Sequence, residues 1–411
     1  MARADAQVRA TAALATQVLE KISASTRRPG APIAAAFPAI APRVPFDVPL
    51  HGVTRVQVPA IVAAGDGRAS RAVYGDNKAY LELAGRSLVA HAVAALQQVP
   101  EVSEVWVVGN APRLEAVLRR DLEGRLSKPL TVVPQFRNLL ENVWETYRRL
   151  LPGAGPAGRD PEEGESDLPV LYLSSDIPLA SPQEISAFIR QGAELDCDYA
   201  LGLVTEESMA PFYPQPAGQG AAGQEPKPGI EMAYFNLAEG RVRQSNLHLV
   251  RPPRLGKRQY IQEMYENRYQ KQLGNALHLA WTIVSDEGGG VRVLFYYTLM
   301  HLAGVFDRHG WRRVADATRR LLPIARVERA VSALLDTRFR FVVTEGGGCA
   351  VDVDNDRDYD VMRERFDEWR ESHARAVEVR YGPPALPAEA ATLHVQLWSD
   401  RSSPDAGEEG S

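Results

Sequence analysis

The sequence predicts an α/β fold: a three-layer, mostly parallel, doubly wound sheet with a helical insertion. Short apolar runs typical of strands buried on both faces recur at residues 58–62, 102–109 and 130–133. Helical patterns separate these runs, and alternation of strands and helices is the signature of a parallel sheet. The helical insertion is predicted because residues 257–335 show helical apolar spacing, interrupted by glycine breaks.

The composition is that of a globular protein and excludes several classes. Of the 411 residues, 45% are apolar and 24% are charged, which is ordinary for such a protein. A net charge of -5 argues against a nucleic-acid partner. Two cysteines are too few for a disulfide framework or a zinc site, so a reducing cytoplasm is the simpler location. No apolar run approaches the ~18 residues that a membrane span needs.

The predicted domains follow the shifts in composition along the chain. We expect an N-terminal helix and Pro/Ala-rich linker (1–50), an α/β core (51–254), a helical insertion (255–338), a segment that completes the core (339–381) and a disordered tail (382–411). Residues 291–306 are apolar enough for either a buried helix or an association surface, which leaves a homo-oligomer open.

The loop after the first strand predicts a phosphate site. Its residues are Ala63, Ala64, Gly65, Asp66, Gly67 and Arg68, and Lys78 follows. Small residues let the main chain approach a bulky anion, and successive N–H groups in such a turn form a concave anion site. Only six of the 47 basic residues are lysines, so a lysine here indicates a need for a compact ammonium. The alternative is a solvated surface lysine. The loop matches neither the Walker A nor the GxGxxG pattern.

Two acidic motifs predict a magnesium site. In PVLYLSSDIP, a hydrophobic strand is predicted to end at Asp176, and the carboxyl end of a parallel strand is where such sheets bind ligands. In CAVDVDNDRDY, an alternating strand is predicted to end in Asp352 and Asp354. Carboxylates so placed can hold Mg²⁺, which bridges phosphate oxygens. The alternatives are a helix cap for Asp176 and a solvated acidic turn for the second motif. An EF-hand is excluded because its central glycine and terminal glutamate are missing.

These motifs, in this order, resemble a known family. AAGDGRASR and NKAYLELAGRSLVAHAV resemble the opening of the MobA-like nucleotidyltransferases, a group that includes molybdopterin guanylyltransferases and sugar-phosphate and methylerythritol-phosphate nucleotidyltransferases. The resemblance covers about residues 58–368. It implies a GT-A-like nucleotidyltransferase core and an Mg²⁺-dependent reaction. In that reaction an acceptor phosphate attacks the α-phosphorus of an NTP and pyrophosphate is released.

The resemblance also implies roles for particular residues. Residues 63–67 and Lys78 would hold the nucleotide, and Asp176 and Asp354, with Asp352 in reserve, would hold Mg²⁺. The remaining candidates are Arg68 and Arg71 for charge in the transition state, Asn138 and Asn142 for base and ribose, and Asn246, Arg268 and Lys271 for the acceptor. Asn246 follows a serine where the family has glycine. Simpler alternatives are a helix cap for Asn138, a helix surface for Asn142, and a solvated face for Arg268 and Lys271.

Two other functions remain open at this point. A GT-A glycosyltransferase would also use an aspartate-centred metal site, with a nucleotide sugar in place of the NTP. A non-catalytic binding protein could retain the fold alone. The loop with Lys78 argues against the first, since a diphosphate-sugar has less need of a triphosphate site. The lysine and both carboxylates argue against the second. The motifs leave the base, the acceptor and the oligomeric state undetermined.

Overall fold

The computed structural model describes residues 56–65, 72–216, 225–261, 290–385 and 393–398. They fall into two compact units. The described residues of the larger unit lie within 56–234, 241–258 and 336–398, and those of the smaller unit are 235–240, 259–261 and 290–335. The predictions for residues 1–50 lie outside the described residues. Among the residues that are described, no helix combines the length and the apolar character that a membrane crossing requires.

Strands and helices alternate through the larger unit. Within the described residues, the strands are β1 Val58–Ala64, β2 Glu82–Leu83, β3 Arg86–Ser87, β4 Val102–Gly109, β5 Leu130–Pro134, β6 Val170–Ser174, β7 Tyr199–Thr205, β8 Phe235–Asn236, β9 Arg241–Val250, β10 Phe339–Thr344 and β11 Val395–Leu397. The α-helices of the same residues are α1 Leu88–Gln97, α2 Ala111–Leu122, α3 Leu139–Leu150, α4 Pro182–Glu194, α5 Glu206–Met209, α6 Gly290–Arg308, α7 Arg312–Arg319, α8 Ile324–Leu335 and α9 Asp356–Tyr381. The 3₁₀ turns Lys78–Tyr80 and Gly348–Ala350 also matter for the site.

One mostly parallel sheet organises the larger unit. Its strands are hydrogen-bonded in the order β10-β7-β9-β6-β1-β4-β5-β11, and β9 is antiparallel to both of its neighbours in this order. Alternate residues of β1 enter different cores. Val62 packs in a cluster with residues of α1, α2 and α4, whereas Ile61 packs in a cluster that contains Tyr147 of α3. Helices therefore cover both faces, and the predicted three-layer α/β fold is confirmed.

Side-chain caps set where several of these helices begin. Ser87, Asn110, Asn138, Ser181 and Asn355 each precede a helix, and each side chain accepts a hydrogen bond from a main-chain N–H in the first turn. Such caps satisfy donors that have no partner within the helix. The Asn110 cap starts α2 directly after β4 ends at Gly109.

The smaller unit is held together around a buried arginine. Arg319 of α7 forms ion pairs with Asp307 and Asp316, and it donates to Asn236 Oδ1 at 3.2 Å. This network joins α6, α7 and β8. On α6, the side chains of Phe295 and Tyr297 are exposed. The predicted association surface on this apolar helix stays a prediction.

The prediction that a strand leads into Asp352 and Asp354 is wrong. The chain makes the 3₁₀ turn Gly348–Ala350 and then runs extended without belonging to a strand. Val351 and Val353 are buried while the two aspartates are half-buried, which accounts for the alternating pattern. The Val353 N–H donates to the Asp176 carbonyl at 3.2 Å. The pattern thus reflects burial of the two valines in a hydrophobic cluster with Leu179 and residues of α9.

The prediction of a disordered tail over residues 382–411 is also wrong for residues 393–398. Strand β11 pairs in parallel with β5, with Val395 opposite Leu130. Trp398 packs against Trp106, with ring centroids 5.4 Å apart, and donates from Nε1 to the Pro156 carbonyl at 3.0 Å. The Pro- and Ala-rich composition of the tail hid a short apolar segment that completes one edge of the sheet.

We predict that Trp398→Ala lowers the free energy of unfolding by about 3 kcal/mol, because it leaves a cavity beside Trp106. Urea denaturation of the full chain measures this. Val379→Ala is the control: Val379 is 90% exposed, and its loss should change stability by no more than about 0.5 kcal/mol. Equal stability of the two variants would show that the tail contributes nothing to the core.

Candidate active site

The site lies where two neighbouring parallel strands end. Ala63 of β1 is opposite Ser174 of β6, and the Ser175 N–H donates to the Ala63 carbonyl at 3.1 Å. Gly65 and Asp176 therefore leave the sheet side by side at its carboxyl edge. Ser181 caps helix α4, so Asp176 does not. This edge is where open α/β sheets bind ligands.

Hydrogen bonds of Asn77 hold the turn that carries Lys78 at this edge. Its side-chain oxygen accepts from the Ala79 N–H at 2.9 Å and caps the turn Lys78–Tyr80. Its amide nitrogen donates to the carbonyls of Ala64, at 3.3 Å, and Gly65, at 3.1 Å. Sequence reasoning missed Asn77, although an asparagine directly before a short turn is a recognisable capping signal.

Lys78 is the centre of the site. Its ammonium forms ion pairs with Asp176 and, at 3.1 Å, with Asp354, and only 12% of its side chain is exposed. Burial alone would lower the pKa of Lys78, but the two carboxylates outweigh burial and raise that pKa above its ordinary value. Lys78 is therefore a buried, charged group, and the alternative of a solvated surface lysine does not apply.

Three carboxylates surround the ammonium group. Each of Asp176, Asp352 and Asp354 offers an oxygen within 4.8 Å of those of the other two. Asp352 also pairs with Arg243, whose Nη2 lies 2.7 Å from its carboxylate. Burial and the neighbouring charge of Asp354 raise the pKa of Asp352 to about 7, against the opposing effect of Arg243. Sequence reasoning missed Arg243, for which the only signal was a basic residue on a predicted strand.

This donor set fits Mg²⁺. The ion prefers oxygen ligands, usually one or two protein carboxylates together with phosphates and water. When ionised, the three carboxylates outnumber the positive charges of Lys78 and Arg243, so the cluster favours a further cation. Asp176 and Asp354 come from segments far apart in the chain, as the metal-site prediction required. That a metal binds here, and which of the three aspartates bind it, stay predictions.

The nucleotide-side candidates differ in position. A Cβ at Gly65 would lie 3.2 Å from Gln135 Oε1 and 3.6 Å from Asn142 Nδ2, so both amides face the loop. Asn142 is buried and accepts from the Phe136 N–H at 2.7 Å, so it is not a helix-surface residue. Asn138 caps α3 by accepting from the Glu141 N–H at 2.9 Å, as its simpler alternative expected. Sequence reasoning did not select Gln135.

The remaining candidates lie apart from Lys78 or outside the described residues. Asn246, on β9, donates to the Cys349 carbonyl at 3.2 Å, so it contacts the segment that precedes Asp352. Asp66, Gly67, Arg68, Arg71, Arg268 and Lys271 lie outside the described residues. Their roles stay predictions.

Comparison with known proteins confirms the resemblance seen in the motifs. Residues 60–217 match the MobA-like NTP transferase domain. A 2-C-methyl-D-erythritol 4-phosphate cytidylyltransferase of Thermobifida fusca is 42% identical over 89 residues, which is 22% of this chain and 34% of that protein. The Chlorobium luteolum protein of the same name is 23% identical over 134 residues, 33% of this chain and 53% of that protein. The chain thus spans between a third and about half of these relatives.

A solved structure is similar to part of the chain. This hypothetical transferase from Thermus thermophilus is 20% identical, with a TM-score of 0.48, over 74% of this chain and 99% of that chain.

We predict that the raised pKa of Asp352 makes stability depend on pH. A carboxyl whose pKa is higher in the folded than in the unfolded state stabilises the fold when protonated, and this contribution is lost as pH rises from about 4 to about 7. The slope for one such proton is at most about 1.4 kcal/mol per pH unit. Asp352→Asn should remove this slope, as measured by denaturation between pH 4 and pH 8. Parallel profiles for wild type and variant would contradict the raised pKa.

Proposed function

We propose that this chain, in which residues 60–217 match a MobA-like NTP transferase domain, is a nucleotidyltransferase. It transfers an NMP from an NTP to a phosphorylated acceptor and releases pyrophosphate. The observation that carries the proposal is the meeting of Lys78 with Asp176 and Asp354 at the carboxyl edge of β1 and β6. A buried ammonium beside metal-binding carboxylates suits a triphosphate that carries a divalent cation.

Each part of the site has a role in this reaction. Lys78 binds phosphate oxygens, and the main-chain N–H groups of the loop that begins at Gly65 line the triphosphate. Asp176 and Asp354 hold Mg²⁺, and Asp352 serves as the reserve ligand. When bound, Mg²⁺ neutralises charge on the phosphates. Asn142 and Gln135 face the loop from the side on which we place the base and ribose.

The chemical step needs no covalent enzyme intermediate. An oxygen of the acceptor phosphate forms a new bond to the α-phosphorus, and the bond from that phosphorus to the bridging β-phosphate oxygen breaks. Pyrophosphate carries away the electron pair. Catalysis of this kind depends on placement and on charge stabilisation. Arg68 and Arg71 are our candidates for charge on the transition state.

The acceptor binds on the side of Asn246, with Arg268 and Lys271 as further candidates for its phosphate. Because two matched relatives are named as cytidylyltransferases of an alcohol phosphate, CTP and such phosphates are the first substrates to test. Both cysteines are buried and free, in keeping with the reducing cytoplasm that we propose as the location.

A pyrophosphate-release screen tests the function. Each of the four common NTPs is combined with a panel of sugar phosphates, alcohol phosphates and cofactor phosphates, with Mg²⁺ present. The proposal expects release that requires both an NTP and a phosphorylated acceptor. Consumption of a nucleotide sugar with an unphosphorylated acceptor would instead identify a glycosyltransferase. NTP binding without any turnover would identify a binding protein.

We predict that Lys78→Ala and Asp176→Asn each lower kcat/KM by about 100-fold or more, because each removes a charge that stabilises the transition state. Lys227→Ala is the matched control: this lysine is also paired with a carboxylate, that of Glu368, but 42% of its side chain is exposed and it contacts none of the three aspartates. Near wild-type kcat/KM in either site variant would contradict the assignment of the site.

A further inference from the structure

Three consecutive glycines lead from β10 to the aspartates of the site. A Cβ at Gly346 would lie 2.9 Å from the Glu184 carboxyl carbon, and one at Gly348 would lie 2.0 Å from the Leu179 carbonyl oxygen. Gly347 has a φ of +95°, a conformation that L side chains rarely adopt. The main chain of this glycine turn therefore packs closely against Glu184 and the Leu179 carbonyl, with no room for a side chain.

Glu184 is a fully buried carboxylate that serves this turn. It accepts hydrogen bonds from the N–H groups of Gly347 and Cys349, both at 3.2 Å, and from Thr344 Oγ1 at 3.4 Å. Burial and this carboxylate raise the pKa of Cys349 well above its ordinary value. A buried carboxylate is destabilising unless hydrogen-bonded, and these donors supply the compensation. His373 Nε2 lies 3.9 Å from the same carboxylate.

Arg243 holds the next residues of the same segment. Its Nε donates to the Ala350 carbonyl at 2.8 Å, and its Nη2 pairs with Asp352 at 2.7 Å. Glu184 thus accepts hydrogen bonds from main-chain N–H groups of the segment, while Arg243 donates to its Ala350 carbonyl and pairs with the Asp352 carboxylate. Between Cys349 and Asp354 there are only four residues, so a shift of the turn would move both aspartates.

We propose that Glu184 is a positioning residue that sets the placement of Asp352 and Asp354 through the glycine turn. This inference rests on the proposed function, because it assigns those aspartates to the metal site. Glu184 lies in α4 and contacts neither Lys78 nor the three carboxylates. Its effect passes through the hydrogen bonds to Gly347 and Cys349. Replacing one of its oxygens with an NH₂ group would set a donor against a main-chain donor and loosen the turn.

The test measures Mn²⁺ binding to the full chain by the electron paramagnetic resonance of free Mn²⁺, at a temperature well below unfolding. Glu184→Gln should raise the Kd for Mn²⁺ by about tenfold, the lower end of the range for residues that orient metal ligands. Asp121→Asn is the matched control. Asp121 is also a buried carboxylate, and it accepts hydrogen bonds from the main-chain N–H and the hydroxyl of Ser87. Helix α2, on which Asp121 lies, carries no residue of the site.

The outcomes separate this inference from the proposed function. A raised Kd in Glu184→Gln, with the Kd of Asp121→Asn within twofold of wild type, supports the positioning role. An unchanged Kd in Glu184→Gln, or an equal rise in both variants, overturns it and leaves the proposed function standing. Wild type that binds no Mn²⁺ overturns both. If Glu184→Gln does not fold, Glu184→Asp takes its place, since it keeps two acceptor oxygens but cannot reach both N–H groups. A smaller rise in Kd is then expected, and no rise overturns the inference.

Discussion

The site depends on the pairing of one buried ammonium with two carboxylates that are distant in sequence. Lys78 meets Asp176 and Asp354, and burial alone would strongly destabilise the charges of Lys78 and Asp176. The pairing is compatible with only a few chain paths, because three segments distant in sequence must meet at one edge of the sheet. The parallel neighbours β1 and β6 end at that edge. The site therefore depends on the correct pairing of these two strands.

Uncharged hydrogen bonds hold the charged groups in place. Asn77 ties the lysine turn to the carbonyls at the end of β1, and the Val353 N–H ties the second acidic segment to the Asp176 carbonyl. Arg243 adds a charge that keeps Asp352 near the cluster. In a region of low dielectric such hydrogen bonds are strong, and a buried polar group that lacks a partner destabilises the fold correspondingly. The arrangement suits a site that must present charge to a polyphosphate without rearranging.

Local patterns in the sequence determined much of this architecture. Strand β4 was predicted with its observed bounds, because a mostly apolar run marks it. The prediction failed where partners are remote. The alternation at Val351 and Val353 came from burial in a cluster that several distant segments build, and β11 adds to the sheet from a tail of unpromising composition. Arg243 and Glu184 were missed for the same reason: their bonds reach segments that periodicity and composition do not reveal. Asn77, in contrast, carried a local capping signal.

The most direct measurement is the position of the metal. A crystal of the protein grown with Mn²⁺ and a non-hydrolysable CTP analogue gives an anomalous signal that locates the ion without reference to activity. The account predicts one peak bonded to carboxylate oxygens of Asp176 and Asp354 and to phosphate oxygens of the nucleotide, with Lys78 on the same triphosphate. A nucleotide–metal complex bound elsewhere on the chain, with the three aspartates unchanged around Lys78, would contradict it.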